Sequence, residues 1–185
     1  MKLKLTFLCV VLGLQASWIA GTTVVQENVL RHGTIVLLET RPVDPRDLLR
    51  GDYLILNYKI SDIPLKLFTP AITNTPDPGQ AIYVALQLKG AFHEVVEAST
   101  KPFVPKADEV LVKGTSRWWW ANANSVHVDY GLERYYVREK TGNPRGKITV
   151  QAAVSGSGHC LIRQVFLDGK PYAEAMKTDV SENLR

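Results

Sequence analysis

Arg41-Pro-Val-Asp-Pro-Arg-Asp-Leu-Leu-Arg-Gly-Asp-Tyr-Leu-Ile-Leu-Asn-Tyr58 is the stretch whose reading decides the fold class. From Asp52 to Ile60 the side chains alternate. Leu54, Leu56, Tyr58 and Ile60 share one face, while Ile55, Asn57 and Lys59 share the other. A period of two is what a half-buried strand requires. Just upstream, Asp44 is placed to cap a helical turn, Pro45 suits its first position, and Asp47 falls where a carboxylate meets unpaired N–H groups. Gly51 can take the left-handed conformation that ends such a turn. One or two helical turns over Asp44–Arg50, wedged between two strands, are therefore expected. Arg46 and Arg50 lie near Asp47 and Asp52 in a small ion-pair web, and Tyr53 and Tyr58, an odd number of residues apart, point to opposite faces.

The pattern extends outward in both directions. Gly33–Glu39 is a short β-prone run closed by Pro42 and Pro45. Ile63–Gln80 holds Pro64, Pro70, Pro76, Pro78 and Gly79 and reads as a loop. Ala81–Leu88 and Phe92–Glu97 form a hairpin about Lys89-Gly90, and Lys147–Val154 and His159–Leu167 form another about Ser155-Gly-Ser-Gly158. Glu109–Lys113, Arg117–Trp120 and Val126–Tyr130 are further strands, and Ala121–Ser125 is a hinge. Only Leu132–Glu139 has a helical look. Many short strands without alternating helices predict a mainly β fold, an antiparallel sandwich or small open barrel, after an N-terminal transmembrane helix.

That helix is expected because residues 5–26 carry no formal charge, and about 20 such residues span the hydrocarbon core of a bilayer. Lys2 and Lys4 precede it, and a positive flank stays cytoplasmic. A cleaved signal peptide competes with this reading. Its small-x-small exit is poorly met, since Trp18 or Gln15 would occupy the outer position. A retained single-pass signal-anchor over residues 1–26, inserted in the lipid bilayer, followed by an extracytoplasmic β-rich body over residues 27–185, is the favoured organisation. The two cysteines, Cys9 in the apolar segment and Cys160 in the body, are not expected to meet. Cys160 reads as a small buried hydrophobe.

Composition closes off other classes. The 185 residues are 45% hydrophobic and 22% charged, ordinary for a globular chain. Without Lys2 and Lys4, the 22 Lys+Arg become 20 against 18 Asp+Glu. So even a balance leaves no electrostatic footprint for nucleic acid.

The 41–58 stretch resembles the GDYXXLXY family. Gly51, Asp52, Tyr53, Leu56 and Tyr58 present its naming motif, and Pro42–Asp47 is similar to its lead-in. Val128-Asp-Tyr-Gly-Leu-Glu-Arg-Tyr-Tyr-Val137 is similar to a second family segment, through Gly131, Glu133 and Tyr136. Arg138 stands where proline is expected before Glu139. The resemblance covers most of the chain to about Gly169. It implies a bacterial inner-membrane protein of uncharacterised role, with its N-terminus cytoplasmic and its body periplasmic. It also implies a multi-pass membrane protein as partner.

No catalytic constellation is legible. A fainter likeness to the signal-peptidase and repressor-cleavage β-fold stops at backbone shape, because Arg41–Gly51 contains no serine to serve as nucleophile. Ser157 sits between glycines at a hairpin tip, without the spacing of a nucleophile elbow. His159 and Cys160 are adjacent on a strand and face opposite ways. His32, His93 and His127 are isolated, so no metal and no cofactor are expected. Arg117-Trp-Trp-Trp120 places Trp118 and Trp120 on one face and Trp119 on the other. Either two rings are buried and one covers an edge, or the cluster is an aromatic surface for a partner or the membrane interface.

The binding candidates are Asp44, Arg46, Asp47, Arg50, Asp52, Tyr53, Tyr58, Arg117 and Trp119. The expected function is that of a membrane-anchored binding or accessory module rather than an enzyme. The alternative is an envelope enzyme or ligand carrier with its site near the Asp44–Tyr58 turn and the proline-rich loop.

Overall fold

A computed structural model describes residues 2–41, 53–72, 74–117, 124–137 and 146–176. The expected short helix over Asp44–Arg50, its ion-pair web, Trp118–Trp120 and Arg138 lie outside them. One apolar helix, α1 (Lys2–His32, 31 residues), precedes the β-domain. It runs past the expected boundary at residue 26. Its last turns carry an Arg31–Glu27 ion pair at 2.6 Å and a His32–Asn28 hydrogen bond at 2.9 Å, both four residues apart. Gly33 then ends the helix: its N–H donates to the Val29 carbonyl at 2.8 Å. A side chain has no room there, because a Cβ would sit 2.5 Å from that oxygen and 2.9 Å from the Val154 carbonyl. One residue later the first strand begins, so no linker separates helix from sheet.

The strands, in chain order, are β1 (Thr34–Glu39), β2 (Tyr53–Ile55), β3 (Asp62–Pro64), β4 (Ala81–Lys89), β5 (Phe92–Ser99) and β6 (Glu109–Arg117). After these come β7 (Ser125–Asp129), β8 (Arg134–Tyr136), β9 (Ile148–Val154), β10 (Cys160–Leu167) and β11 (Lys170–Pro171). They form three antiparallel sheets, ordered β1-β9-β10-β11, β2-β8 and β3-β7-β6-β4-β5, and among the described residues none closes on itself. The mainly β, antiparallel, open architecture is the one that the alternation and the turn residues predict.

Inward side chains from the two larger sheets form one core. Val36 and Leu38 of β1, Val150 and Ala152 of β9 and Val165 of β10 look inward from the first sheet. Ile63, Ile82, Val84, Val112, Val126 and Val128 do so from the five-stranded sheet. Full burial of such a side chain contributes about 1.5–3 kcal/mol. Two hydrogen bonds donated by backbone N–H groups stitch the sheets together. The Leu37 N–H donates to His93 Nδ1 at 3.1 Å, joining β1 to β5. The Lys113 N–H donates to the Gly158 carbonyl at 2.8 Å, seating the β9–β10 hairpin tip against β6.

Two expectations are corrected. The segment 132–139 is not helical where it is described: Arg134–Tyr136 is β8, paired with β2 through Tyr53↔Tyr136, Leu54↔Tyr135 and Ile55↔Arg134. Cross-strand pairing and the packing of Tyr135 against Tyr172, with ring centroids 5.8 Å apart, override a weak local preference. Glu109–Lys113 and the residues up to Arg117 form one strand, not two. Gly114 does not break it. It lets β7 approach, since a Cβ there would lie 2.3 Å from Val128 Cγ1 and 2.7 Å from the Asp129 carbonyl.

Candidate functional site

The two segments that carry the family resemblance fold onto each other. Thr40 bridges Tyr58, and the Arg41 N–H donates to the Asn57 carbonyl at 2.7 Å, so residues 53–58 continue the line of β1. Leu54, Leu56 and Tyr58 are buried at 0%, 1% and 0% exposure, as the period of two requires. From the other segment, the Glu133 carbonyl accepts the Leu56 N–H at 2.8 Å. Tyr58 donates its hydroxyl to the Leu132 carbonyl, and Tyr130 donates its own to the Ile60 carbonyl, both at 2.8 Å. Gly131, at φ +80, makes the reversal between Tyr130 and Leu132. The Glu133 carboxylate accepts the Tyr130 N–H at 2.6 Å and thereby closes the turn. Burial raises the Glu133 carboxyl above its ordinary value, while backbone hydrogen bonds from Tyr130 and others oppose the shift.

What this clasp presents outward is a small aromatic and cationic face on the β2–β8 ribbon. Tyr53 and Tyr136 stand opposite each other with ring centroids 5.9 Å apart. The Arg134 guanidinium carbon lies 5.5 Å from the Tyr53 ring centroid, within cation–π range. Tyr136 is 72% exposed. Among the described residues no carboxylate pairs with Arg134. The alternation explains the division of labour: odd-numbered Tyr53 and Ile55 face out with Arg134 and Tyr136, while Leu54, Leu56 and Tyr135 face the core.

A second cluster crosses the five-stranded sheet. Asp62 on β3 and Arg117 on β6 stand directly opposite His127 on β7. His127 Nδ1 is 2.6 Å from Asp62 Oδ1, and its Nε2 is 3.5 Å from Asp129 Oδ1. Arg41 pairs with Asp62, and Arg117 with Asp129 at 3.0 Å. Each carboxylate thus has its own arginine. The row ties three strands together, with surface pairs of this kind contributing about 0–1 kcal/mol each.

The candidate residues are therefore distributed as follows. Tyr53 belongs to the outward ribbon face. Tyr58, with a fully buried ring and its hydroxyl donated to a carbonyl, has no surface to offer a partner. Arg117 is 61% exposed at its side chain but engaged with Asp129. Asp44, Arg46, Asp47, Arg50, Asp52 and Trp119 lie outside the described residues. Arg134 and Tyr136 do not stand out as site residues in the sequence, because the helical look of Leu132–Glu139 hides the alternation in Arg134-Tyr-Tyr136. Cys160 is buried at 3% exposure, and burial pushes its thiol up to about 12. Exposed Ser157 occupies a hairpin turn. Among the described residues no three His, Cys, Asp or Glu side chains are grouped to hold a metal.

Fold and site together define a class: an antiparallel β-domain carried directly on an apolar N-terminal helix, with two signature segments clasped around buried tyrosines. The chain belongs to the GDYXXLXY family, whose model, described as GDYXXLXY protein, matches residues 15–165. Neither the curated proteins nor the solved structures provide a match.

Proposed function

We propose that this protein is a single-pass, extracytoplasmic binding module that serves as the accessory subunit of a multi-pass membrane protein in the bacterial inner membrane. One observation carries the reading. The 27 residues Thr6–His32 form a helix of spanning length whose most apolar window is 0% buried within the domain. Leu14, Val24 and the 76%-exposed Trp18 are left without cover by the chain itself. In water such a surface demands lipid or another apolar helix. Lys2 and Lys4 favour a cytoplasmic N-terminus, which puts the β-domain on the other side. The multi-pass partner is the one that the resemblance of the 41–58 and 128–137 segments implies, and the ribbon face of Tyr53, Arg134 and Tyr136 offers the residue types that anchor protein interfaces.

The test is fractionation followed by gentle extraction. Full-length protein should remain with the membrane after alkaline washing. A protease added from the outer face of spheroplasts should digest its β-domain. A multi-pass protein should co-purify from mild detergent. A shortened, freely soluble body, or a β-domain reached only from the cytoplasmic face, would overturn the proposal.

A further inference from the structure

We infer that the outward face of the β2–β8 ribbon docks an acidic, extramembrane segment of the partner protein. This inference rests on the accessory-subunit reading above and names the chemistry that the surface selects.

Distance along the sheet argues for a protein rather than the bilayer as occupant. β1 leads away from α1, and Thr40↔Tyr58 with Arg41–Asn57 makes residues 57 to 53 run on in the same direction. At about 3.3 Å per residue, the Tyr53–Tyr136 pair stands on the order of 30 Å beyond the helix end. That path length favours a protein segment over the headgroups at the end of α1.

Charge selects the sign of the occupant. Among the described residues of this face, Tyr53, Ile55, Asn57, Arg134 and Tyr136, Arg134 is the sole formal charge. Lys59 and Arg41 nearby are consumed by Glu39 and Asp62, whereas no described carboxylate pairs with Arg134. A guanidinium held at an aromatic face presents its remaining N–H fork to a carboxylate in planar, two-pronged fashion. Two tyrosines beside it supply rigid apolar area at low entropic cost. The patch is small, so it acts as one anchor of a larger association. Because Gly33 joins helix to sheet without slack, contacts of α1 and of the ribbon are made by one linked body and reinforce each other.

The experiment uses the full chain in native membranes, with the Tyr136→p-benzoylphenylalanine substitution as a photocrosslinking probe. Val104, 92% exposed on a different loop, carries the same probe as control. The expected result is one predominant protein adduct from position 136 and none of it from position 104. Its crosslinked peptide should be extramembrane with a net negative charge. Adding Arg134→Glu should lower the adduct yield about tenfold or more while the melting temperature of the extracted protein stays unchanged. An adduct to lipid, to a second copy, to residues of the same chain or to a neutral or basic peptide would overturn the inference. So would the absence of any adduct, or a yield indifferent to Arg134→Glu. If a multi-pass protein still co-purifies while position 136 yields nothing, only the docking surface falls. If no such protein co-purifies, the accessory reading falls with it.

Discussion

Tyr58 and Tyr130 cross-brace the two signature segments: each sends its hydroxyl to a backbone carbonyl of the other's neighbourhood, Tyr58 to Leu132 and Tyr130 to Ile60. Both rings are buried at 4% exposure or less. Burial holds both phenols well above their ordinary value, so they remain protonated donors across the physiological range.

Tyr58→Phe and Tyr130→Phe should each destabilise the detergent-solubilised chain by about 1–3 kcal/mol, because the ring stays packed while a buried carbonyl loses its donor. Denaturant unfolding measures this. The double variant should lose less than the sum of the singles, since either change already loosens the same turn. Strict additivity would show that the two braces act independently.

The seam between β1 and β5 should weaken in acid. His93 Nδ1 accepts the Leu37 N–H only while that nitrogen is unprotonated, and burial lowers the ring's pKa from its ordinary 6.5. For a group whose folded value is depressed, the stabilisation is complete above about pH 6.5 and is lost as the pH falls through the lower native value. Melting temperatures of the wild type and of His93→Asn, compared from neutral to acid pH, isolate the effect from the other histidines. The wild type should fall more steeply; parallel curves would remove the seam from the account.

Glu39 governs a lower window. Lys147 and Lys59, each 2.6 Å from one of its oxygens, hold its carboxyl below the ordinary carboxylate range, with the Lys147 hydrogen bond the larger influence. The stabilisation is present above the unfolded value of about 4.3 and disappears as acid protonates the folded group. Glu39→Gln should be less stable at neutral pH and should show a flatter acid limb below about pH 4.

Cys160 should resist thiol reagents. With the thiol pushed up to about 12, thiolate is scarce near neutrality. In a Cys9→Ser background, maleimide should leave the native protein unmodified and label it only after denaturation. Rapid native labelling would place the side chain outside the core.

Close approach at two glycines makes a steric prediction. Gly114→Ala and Gly33→Ala should each cost about 1–3 kcal/mol, as overpacked sites do, because a Cβ at either position meets an atom within 2.5 Å. Of the two, only Gly33→Ala should alter the junction with α1. Readily measured protease sensitivity at residues 29–34 would report it.

Much of the architecture was legible where local chemistry and tertiary demand coincide. The alternation from Leu54 to Tyr58 became a buried face. Gly90, at φ +64, and Gly158, at φ +83, lie at the tips of the two expected hairpins. Reading failed where a partner distant in sequence decides the outcome. Gly114 resembles a breaker until Val128 and Tyr130 are packed beside it. Arg134-Tyr-Tyr136 resembles a helix until Tyr53 pairs with it. The row Arg41–Asp62–His127–Asp129–Arg117 draws on β3, β6, β7 and the end of β1, and no spacing in the chain announces it.

The pairing of β1 has a consequence for biogenesis. Thr34–Glu39 leaves the helix first, yet its ladder partner is Ile148–Val154, and Thr40 bonds the Ile148 carbonyl 108 residues downstream. Closing so long a loop is entropically slow. During synthesis the apolar run Ile35–Leu38 therefore waits, beside α1, until most of the polypeptide has emerged, and that interval is when the nascent protein most needs a chaperone.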